Sequence, residues 1–359
     1  MSAGFHILTV AEVVPETADA KSIRFDLPEQ LRETFAFKPG QHLTLRAAIG
    51  GEDIRRNYSL CVAPQDGELK VTVKRIAGGA FSNWANDNLR PGDTIEVMPP
   101  HGSFTWDFDP AAAANHYVGF AGGSGITPVI SLIKTTLATE PNSRFTLFYG
   151  NRDSQSVIFL DELGRLKNRF MGRLQTHHFL ADEFEDIDLF NGMLDRAKCD
   201  EVLGRLVEAA AVDAFFICGP GPMMDAAEAA ILAAGVAKHK IHIERFTADR
   251  PSAAVEAQMQ ALQSRAQGLT MLVTLDGRKR RVAFDAAAGN ILDSARASGL
   301  PAPYACKAGV CATCRARVVA GAVEMTVHYG LSDEKVAAGY VLTCQSIPQG
   351  EGVELDYDA

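Results

Sequence analysis

Tyr304-Ala305-Cys306-Lys307-Ala308-Gly309-Val310-Cys311-Ala312-Thr313-Cys314 sets three cysteines at the spacing C-x4-C-x2-C, and a fourth, Cys344, follows in Leu342-Thr343-Cys344-Gln345. Four thiolates in this arrangement are the ligand pattern of a [2Fe–2S] cluster. Thiolate sulfur suits iron–sulfur chemistry, and the small residues Ala305, Ala308, Gly309, Ala312 and Thr313 let backbone N–H groups turn toward the sulfurs. Zinc and disulfides compete for the same cysteines. Structural zinc usually takes two C-x2-4-C knuckles, and Cys344 has no partner knuckle. Disulfides suit secreted chains, whereas Met1-Ser2-Ala3-Gly4-Phe5-His6 has neither the basic start nor the apolar run of a signal peptide. Cys306, Cys311, Cys314 and Cys344 are therefore the metal-ligand candidates. Such a cluster passes one electron at a time, so the rest of the chain should show where electrons come from.

A length of 359 residues implies about two or three domains. With 47% hydrophobic and 22% charged residues the composition is that of a globular protein with real cores. A net charge of −9 argues against nucleic acid as a partner. No apolar run is long enough to span a membrane. Seven cysteines without a secretion signal point to the reducing cytoplasm.

Upstream, residues 5–108 read as short strands: Phe5–Val14, Ser22–Leu27, Gln41–Ala47, Asn57–Val62, Leu69–Arg75 and Thr94–Met98. Turn residues at Pro39-Gly40, Asp66-Gly67 and Pro91-Gly92-Asp93 separate them, which predicts a small antiparallel β-barrel. Two pieces stand out. Arg56-Asn57-Tyr58-Ser59 lies on a strand, so Arg56 and Tyr58 share a face and Ser59 takes the other. A guanidinium grips phosphate in a bidentate way, and a tyrosine offers a flat ring with a polar handle. Gly78-Gly79-Ala80-Phe81-Ser82 then runs into a helix from Ala80 to about Leu89, whose N-terminus presents N–H groups to an anion. Alone, each piece is also compatible with an ordinary strand or turn.

Together, R-x-Y-S and G-x-x-S resemble the flavin domain of the ferredoxin–NADP reductase superfamily. The resemblance implies FAD. It puts Arg56 and Tyr58 on the flavin pyrophosphate and ring, Ser59 at the ring's reactive edge, and Gly79, Ala80, Phe81 and Ser82 around the pyrophosphate.

From residue 115 strands and helices alternate. His116–Ala121, Phe145–Tyr149, Leu174–Phe179, Ala214–Cys218 and Lys240–Ile243 read as strands, with helices at Thr127–Ala138, Ser156–Lys167 and Met223–Ala234. This order predicts a doubly wound parallel sheet with a ligand at the strand C-termini. Gly122-Gly123-Ser124-Gly125-Ile126-Thr127-Pro128 departs from G-x-G-x-x-G, yet its small residues still admit a dinucleotide phosphate to a helix N-terminus. Gly122, Gly125 and Thr127 are cofactor-binding candidates on that ground.

Cys218-Gly219-Pro220-Gly221-Pro222-Met223-Met224 resembles the C-G-P-x-x-M-M segment beside the nicotinamide in the same superfamily. By that resemblance Cys218 flanks the hydride path, and Gly219 and Pro220 shape the pocket; as a bare residue Cys218 also reads as a small buried hydrophobe. Gly150-Asn151-Arg152-Asp153 follows the second strand, where an acid favours a free 2′-hydroxyl and an arginine a 2′-phosphate. Asn151 and Arg152 are the candidates here. Arg152 leans toward NADPH, with NADH left open by Asp153. In His242-Ile243-Glu244-Arg245-Phe246 the resemblance gives Phe246 the flavin face and Glu244 the reactive site, although Glu244 is equally a salt-bridge partner for a neighbour.

Residues 248–267 read as a linker, within which Val255, Met259 and Leu262 suggest a short docked helix. Residues 268–359 open with a hairpin, Thr270–Leu275 and Arg280–Phe284, turned by Asp276-Gly277. A helix at about Ile291–Ser298 and the cysteine loop follow, an order that resembles the α+β β-grasp ferredoxin fold. Lys307, Arg315 and Arg317 near the cysteines either steer an acidic acceptor or are solvated charges. The basic run Arg278–Arg281 reads as a turn in solvent.

The expected organisation is thus FAD-binding at 1–110, NAD(P)-binding at 111–247, linker at 248–267 and [2Fe–2S] at 268–359. This module order resembles the reductase subunits of phenylacetyl-CoA epoxidases and of ketosteroid 9α-hydroxylases. Phe37-Lys38-Pro39-Gly40-Gln41-His42, Tyr149-Gly150-Asn151-Arg152 and Ala337-Ala338-Gly339-Tyr340-Val341-Leu342 carry the likeness to the first. It implies NAD(P)H as electron source and a diiron oxygenase as acceptor. Ser59, Cys218 and Glu244 are the residues nearest the chemistry.

Overall fold

The computed structural model describes residues 4–112, 114–246 and 253–359. The expected junction at 247/248, the start of the linker, residues 1–3 and the side chain of Val255 lie outside the described residues. The chain divides into two compact units, Gly4–Glu244 and Arg245–Ala359.

The first unit opens with β1 (His6–Thr17), β2 (Ala20–Asp26), β3 (His42–Ile49), β4 (Glu52–Ser59), β5 (Leu69–Lys74) and β6 (Thr94–Val97), with helix α1 (Ala80–Asn88) between the last two. They form a six-stranded antiparallel sheet in the order β4-β3-β6-β1-β2-β5. Leu60, just past β4, bridges to Val71 on β5, so the two edge strands meet and the sheet closes. Closure removes exposed edges. Leu8, Val10, Ile23, Leu43, Leu45, Val71 and Val73 fill the interior. β4 starts five residues earlier than its apolar pattern suggested. Gly50 and Gly51, both at positive φ (61° and 85°), make the tight turn that lets polar Glu52 and Asp53 join the ladder.

The second sheet holds β7 (His116–Gly122), β8 (Arg144–Asn151), β9 (Leu174–Leu180), β10 (Ala214–Cys218) and β11 (Ile241–Glu244), all parallel, in the order β11-β10-β7-β8-β9. Every residue of β7 and β10 is buried, as expected for strands covered on both faces. The helices are α2 (Ile126–Thr139), α3 (Leu160–Arg169), α4 (Arg196–Leu206) and α5 (Gly221–Ala233). The sequence reading did not anticipate α4. It also began α3 too early: Ser154–Ser156 is a separate 3-10 turn, and Phe159 at φ 63° breaks the path before Leu160. The strand order reverses between β7 and β10, which marks the crevice at their C-terminal ends as the ligand position.

Barrel and parallel sheet are joined by buried polar contacts. Ser131 Oγ on α2 donates to the Val62 carbonyl at 2.6 Å and accepts the Gly40 N–H at 3.4 Å. Lys134 Nζ lies 2.6 Å from Asp66 and 2.9 Å from Glu162.

In the second unit, α6 (Ala253–Ala266) precedes β12 (Thr270–Leu275) and β13 (Arg278–Ala283). The docked helix is longer than expected, and Ala266 and Leu262 join this unit's own core. Asp276 and Gly277, at φ 51° and 69°, form the hairpin turn. Arg278–Arg281 is not a turn: it begins the edge strand β13, with all four side chains exposed. α7 (Ile291–Ala297), β14 (Arg315–Ala320), β15 (Val323–Met325), α8 (Asp333–Ala337), β16 (Tyr340–Leu342), β17 (Ser346–Pro348) and β18 (Val353–Asp356) complete it. The mixed sheet runs β13-β12-β18-β14-β16, with β12 and β18 parallel, and Met271, Val273, Leu292, Leu342, Val353 and Leu355 lie in its core. No helix among the described residues is long and apolar enough to cross a membrane.

Candidate functional site

At the reversal point two turns press backbone on backbone. A Cβ on Gly125 would overlap the Cys218 carbonyl and lie 2.7 Å from the Gly219 nitrogen. One on Gly122 would lie 2.6 Å from Pro220 Cδ, and one on Gly219 2.9 Å from the Gly122 nitrogen. The structure thus brings Gly122, Gly125, Cys218, Gly219 and Pro220 together. Thr127 is buried and donates its hydroxyl to the Ser124 carbonyl at 3.0 Å, tightening the turn. No side chain caps the N-terminus of α2. A small-residue turn leading to an uncapped helix start suits a dinucleotide phosphate.

On the barrel, β3 pairs with β4 so that His42 faces Ser59, Leu43 faces Tyr58, Thr44 faces Asn57 and Leu45 faces Arg56. Arg56 and Tyr58 share one face. Arg56 is exposed; the Tyr58 ring packs 5.6 Å from that of Phe81, and burial pushes its hydroxyl pKa up. Ser59 is 3% exposed, yet its Oγ has no hydrogen-bond partner. An orphaned buried hydroxyl costs about 1–3 kcal/mol and marks a place where a bound group would complete the pairing. Gly79 starts α1 without a side-chain cap, and its missing Cβ would sit 2.6 Å from Ser82 Oγ. Ser82 Oγ instead accepts the Ile76 N–H at 3.1 Å, which folds the turn over the helix start at Ala80 and Phe81. Both features fit a flavin nucleotide.

The other face of β3 and β4 carries residues to which the sequence reading gave no role. His42 Nδ1 lies 3.7 Å from Glu244 Oε1. His42 Nε2 faces the Asn57 amide at 3.3 Å, Thr44 donates to Asn57 Oδ1 at 2.8 Å, and the His101 ring stands edge-on to His42 at 4.3 Å. Gly40 and Gly102, both at positive φ, permit this: a Cβ on Gly40 would overlap the Phe104 carbonyl, and one on Gly102 would lie 2.9 Å from His42 Nδ1. Burial, with a lesser push from His101, holds His42 well below the usual imidazole range, so it is neutral and its approach to Glu244 is not an ion pair. Glu244 is cross-strand partner to Cys218. Burial and the Glu244 carboxylate both raise the Cys218 thiol, which stays protonated. Ser59 therefore lies opposite His42, and Glu244 reaches His42 from the strand where it pairs with Cys218. The Pro39-Gly40 and Pro100-His101-Gly102 turns were the available signal; the pairing of the two histidines was not readable before the register was known.

Asn151 ends β8, with its amide nitrogen and oxygen buried and unpartnered. Arg152 follows with its side chain 68% exposed, 2.9 Å from Asp153 and 3.9 Å from Asp182. Asp153 also accepts the Ser156 N–H at 2.8 Å, so it caps the following turn. Phe246 is 38% exposed and belongs to the second unit.

In that unit Cys311, Cys314 and Cys344 are buried, Cys306 is partly so, and all are free thiols. Cys306 pairs with Cys311 and Cys314 with Cys344. Among the described residues no three ligating side chains converge on one ion. Two sulfur pairs match a two-iron cluster better than a single tetrahedral zinc. The Ala308 N–H points at Cys306 Sγ (3.3 Å) and the Cys306 N–H at Cys311 Sγ (3.5 Å), donors already turned to the sulfurs. Of the nearby cations, Lys307 lies 2.6 Å from Asp293 and over the Tyr304 ring, and Arg315 lies over Tyr340 and donates to the Ala359 carbonyl.

Three family models match the chain: an oxidoreductase FAD-binding domain over residues 7–106, an oxidoreductase NAD-binding domain over 120–229, and a 2Fe-2S iron-sulfur cluster binding domain over 273–349. The chain is 45% identical over 355 residues to a subunit of the 1,2-phenylacetyl-CoA epoxidase of Escherichia coli, covering 99% of this chain and 98% of that one. It is 36% identical to the ferredoxin reductase component of 3-ketosteroid-9-alpha-monooxygenase of Rhodococcus rhodochrous, with 98% and 96% covered. Among solved structures it resembles phthalate dioxygenase reductase, described as a modular structure for electron transfer from pyridine nucleotides to [2Fe-2S], at a TM-score of 0.61, 25% identity and 98% coverage of both chains.

Proposed function

Because the chain belongs to the family of oxygenase reductase components that join FAD-binding, NAD-binding and 2Fe-2S domains, we propose that it draws on NADPH and serves a diiron oxygenase acting on phenylacetyl-CoA. The chain is a flavin and iron–sulfur oxidoreductase that delivers electrons from NAD(P)H through a [2Fe–2S] cluster. Bound flavin supplies the exchange between two-electron hydride chemistry and one-electron transfer.

The chain's own residues bind and orient. Arg56 and the uncapped start of α1, with Gly79, Ala80, Phe81 and Ser82, hold the flavin pyrophosphate. Tyr58 packs on the ring, and the free Ser59 hydroxyl bonds at its edge. Gly122, Gly125, Thr127, Gly219 and Pro220 would admit the dinucleotide at the strand ends, where its nicotinamide would supply the hydride. Cys218, a protonated thiol, packs against the nicotinamide rather than attacking it. Glu244 stands ready to exchange a proton at Oε1, next to neutral His42. Asn151 bonds the nucleotide ribose, and Cys306, Cys311, Cys314 and Cys344 hold the cluster. These roles fall in an FAD part at 1–110, a nucleotide part at 111–247, a linker at 248–267 and a cluster part at 268–359. The observation that carries the reading is the approach of Glu244, paired with Cys218, to His42, opposite Ser59, where the barrel meets the reversal point of the parallel sheet.

Arg152 is the cation for a 2′-phosphate. Asp153 holds the guanidinium at 2.9 Å through the carboxylate oxygen that does not cap the turn, and Asp182 lies at 3.9 Å, so a 2′-phosphate competes with both carboxylates for Arg152. Arg152→Ala should raise KM for NADPH about ten-fold and leave NADH unchanged, the loss of roughly one charged hydrogen bond. The acceptor is tested by reconstitution with purified oxygenase subunits. NADPH-driven epoxidation of phenylacetyl-CoA supports the assignment. No coupled turnover with that oxygenase, but turnover with a steroid or Rieske oxygenase, supports the second reading, which the 36% likeness to a ketosteroid monooxygenase reductase favours.

A further inference from the structure

We propose that Gln345 raises the reduction potential of the cluster by donating its amide N–H to the Cys344 sulfur, and that the same amide clasps the cysteine loop to the fourth ligand. This rests on the four-cysteine ligand set above.

Gln345 Nε2 lies 3.6 Å from Cys344 Sγ, 3.0 Å from the Cys344 carbonyl and 3.1 Å from the Lys307 carbonyl. All three neighbours are acceptors here, so the nitrogen and not the oxygen of the amide faces the sulfur, and with two hydrogens for three acceptors one N–H is shared between Cys344 Sγ and a carbonyl. The Oε1 end is turned to the Thr326 hydroxyl at 3.5 Å, consistent with that orientation. The backbone of Gln345 is fixed as well: its carbonyl accepts the Thr326 N–H at 3.0 Å and hydroxyl at 3.3 Å.

The loop is shaped to admit this side chain. Gly309 sits at φ 74°, and a Cβ there would stand 2.9 Å from Gln345 Cγ. Glycine at 309 therefore answers both a left-handed turn and the passage of the glutamine stem. Through the Lys307 carbonyl the amide reaches the residue after the first ligand, so one side chain spans from the 306/311 pair to the 314/344 pair.

The energetic consequence has a definite sign. Reduction adds one negative charge to the cluster and its sulfurs. An N–H donor stabilises the more negative state more, because hydrogen bonds to charged acceptors are stronger than those to neutral ones. Hydrogen bonds to the sulfurs are one of the levers that set such potentials. The donors to Cys306 and Cys311 are backbone groups, set by the loop path. Gln345 is a side-chain donor and can be removed while that path stays.

The test is an EPR-monitored redox titration of the full-length holoprotein. Gln345→Met keeps an unbranched stem and removes the donor. Iron and sulfide content should match wild type, while the reduced-to-oxidised ratio at a fixed potential falls about ten-fold, a shift of about 59 mV to lower potential for a one-electron couple. An unchanged midpoint in a fully loaded variant overturns the proposal. If the variant loads poorly, the wild-type protein decides. With glutamine side chains labelled with 15N, electron–nuclear double resonance of the reduced wild-type cluster should detect a coupled amide nitrogen, and absence of that coupling overturns the proposal. Full cluster content in Cys344→Ser protein would instead count against the ligand set, so the two failures are distinguishable.

Discussion

The nucleotide turn at 122–127 and the cysteine loop at 304–314 are both rich in small residues, for different reasons. Gly125 has an ordinary φ of −62°; it is glycine because the Cys218 carbonyl occupies the space a side chain needs. Gly309 lies in the left-handed region, and so do Lys307 at 53° and Ala312 at 55°, which are not glycines. Each such residue costs roughly 1–2 kcal/mol. One turn is crowded and unstrained, held by packing between two strand ends. The other is strained, and persists because its surroundings, the Gln345 amide on the Lys307 carbonyl among them, over-determine it. Space-driven glycines punish any added atom, whereas the dihedral-driven loop depends on the contacts that hold its φ angles.

Substitutions can break that distinction. The largest effect is expected from Cys344→Ser, which should abolish NADPH-driven electron delivery to an oxygenase while NADPH-driven ferricyanide reduction at the flavin stays near wild type. Loss of both would mean that the ligand loop also supports the nucleotide turn. Next comes Gly125→Ala. Its added Cβ meets main chain on the neighbouring strand, and a displacement of about 1 Å in the turn can cost on the order of 100-fold in hydride transfer. Stopped-flow flavin reduction by NADPH should show that loss, with dithionite reduction of the cluster unaffected; a wild-type rate would show the crowding to be harmless.

Acid should weaken the unit that carries the crowded turn. Burial, then the Arg144 guanidinium, lowers His116 to about 4, and burial, then His101, holds His42 well below its ordinary value. Below the unfolded value near 6.5 the unfolded chain binds protons that the folded chain refuses. Stability is therefore full above about pH 6.5 and falls as pH drops toward 4. Urea midpoints at pH 7.5 and 5 should differ in that direction, and less so in His116→Asn protein; equal midpoints would contradict the burial of these imidazoles. The smallest effect belongs to Ala312→Gly. Relief of the left-handed φ and the added freedom of the unfolded chain nearly cancel, leaving about 1 kcal/mol or less. Slower iron loss to a chelator would be the sign of relieved strain, and a large stability change in either direction would contradict the cancellation.

The same contrast explains what could be read from sequence. The 2Fe-2S domain was legible because three candidate cysteines lie in one loop at a diagnostic spacing, and strand burial made the parallel sheet visible as continuous apolar runs at β7 and β10. The barrel was legible too, except where Gly50-Gly51 drew polar Glu52 and Asp53 into β4. The alternation pattern was silent on α4, although Cys199, Val202 and Leu203 are buried on it, and it started β13 only at Arg280, so that Arg278 and Lys279 read as solvent although the whole strand pairs residue for residue with β12. His42, Asn57 and His101 meet only through the β3–β4 register and the tight turns at Gly40 and Gly102. Gln345 meets the Lys307 carbonyl only because the chain returns from β16 to the loop. Long-range pairing of this kind has no local signature.

The central claim is that one chain turns a hydride from NAD(P)H into single electrons leaving at the cysteine loop. An anaerobic titration with NADPH, followed by visible absorption and EPR, tests it directly. Bleaching of the flavin together with a reduced [2Fe–2S] signal in the same protein, both absent without nucleotide, is the predicted result. A flavin that bleaches beside a cluster that stays oxidised, or a protein whose cysteines hold zinc, would contradict it.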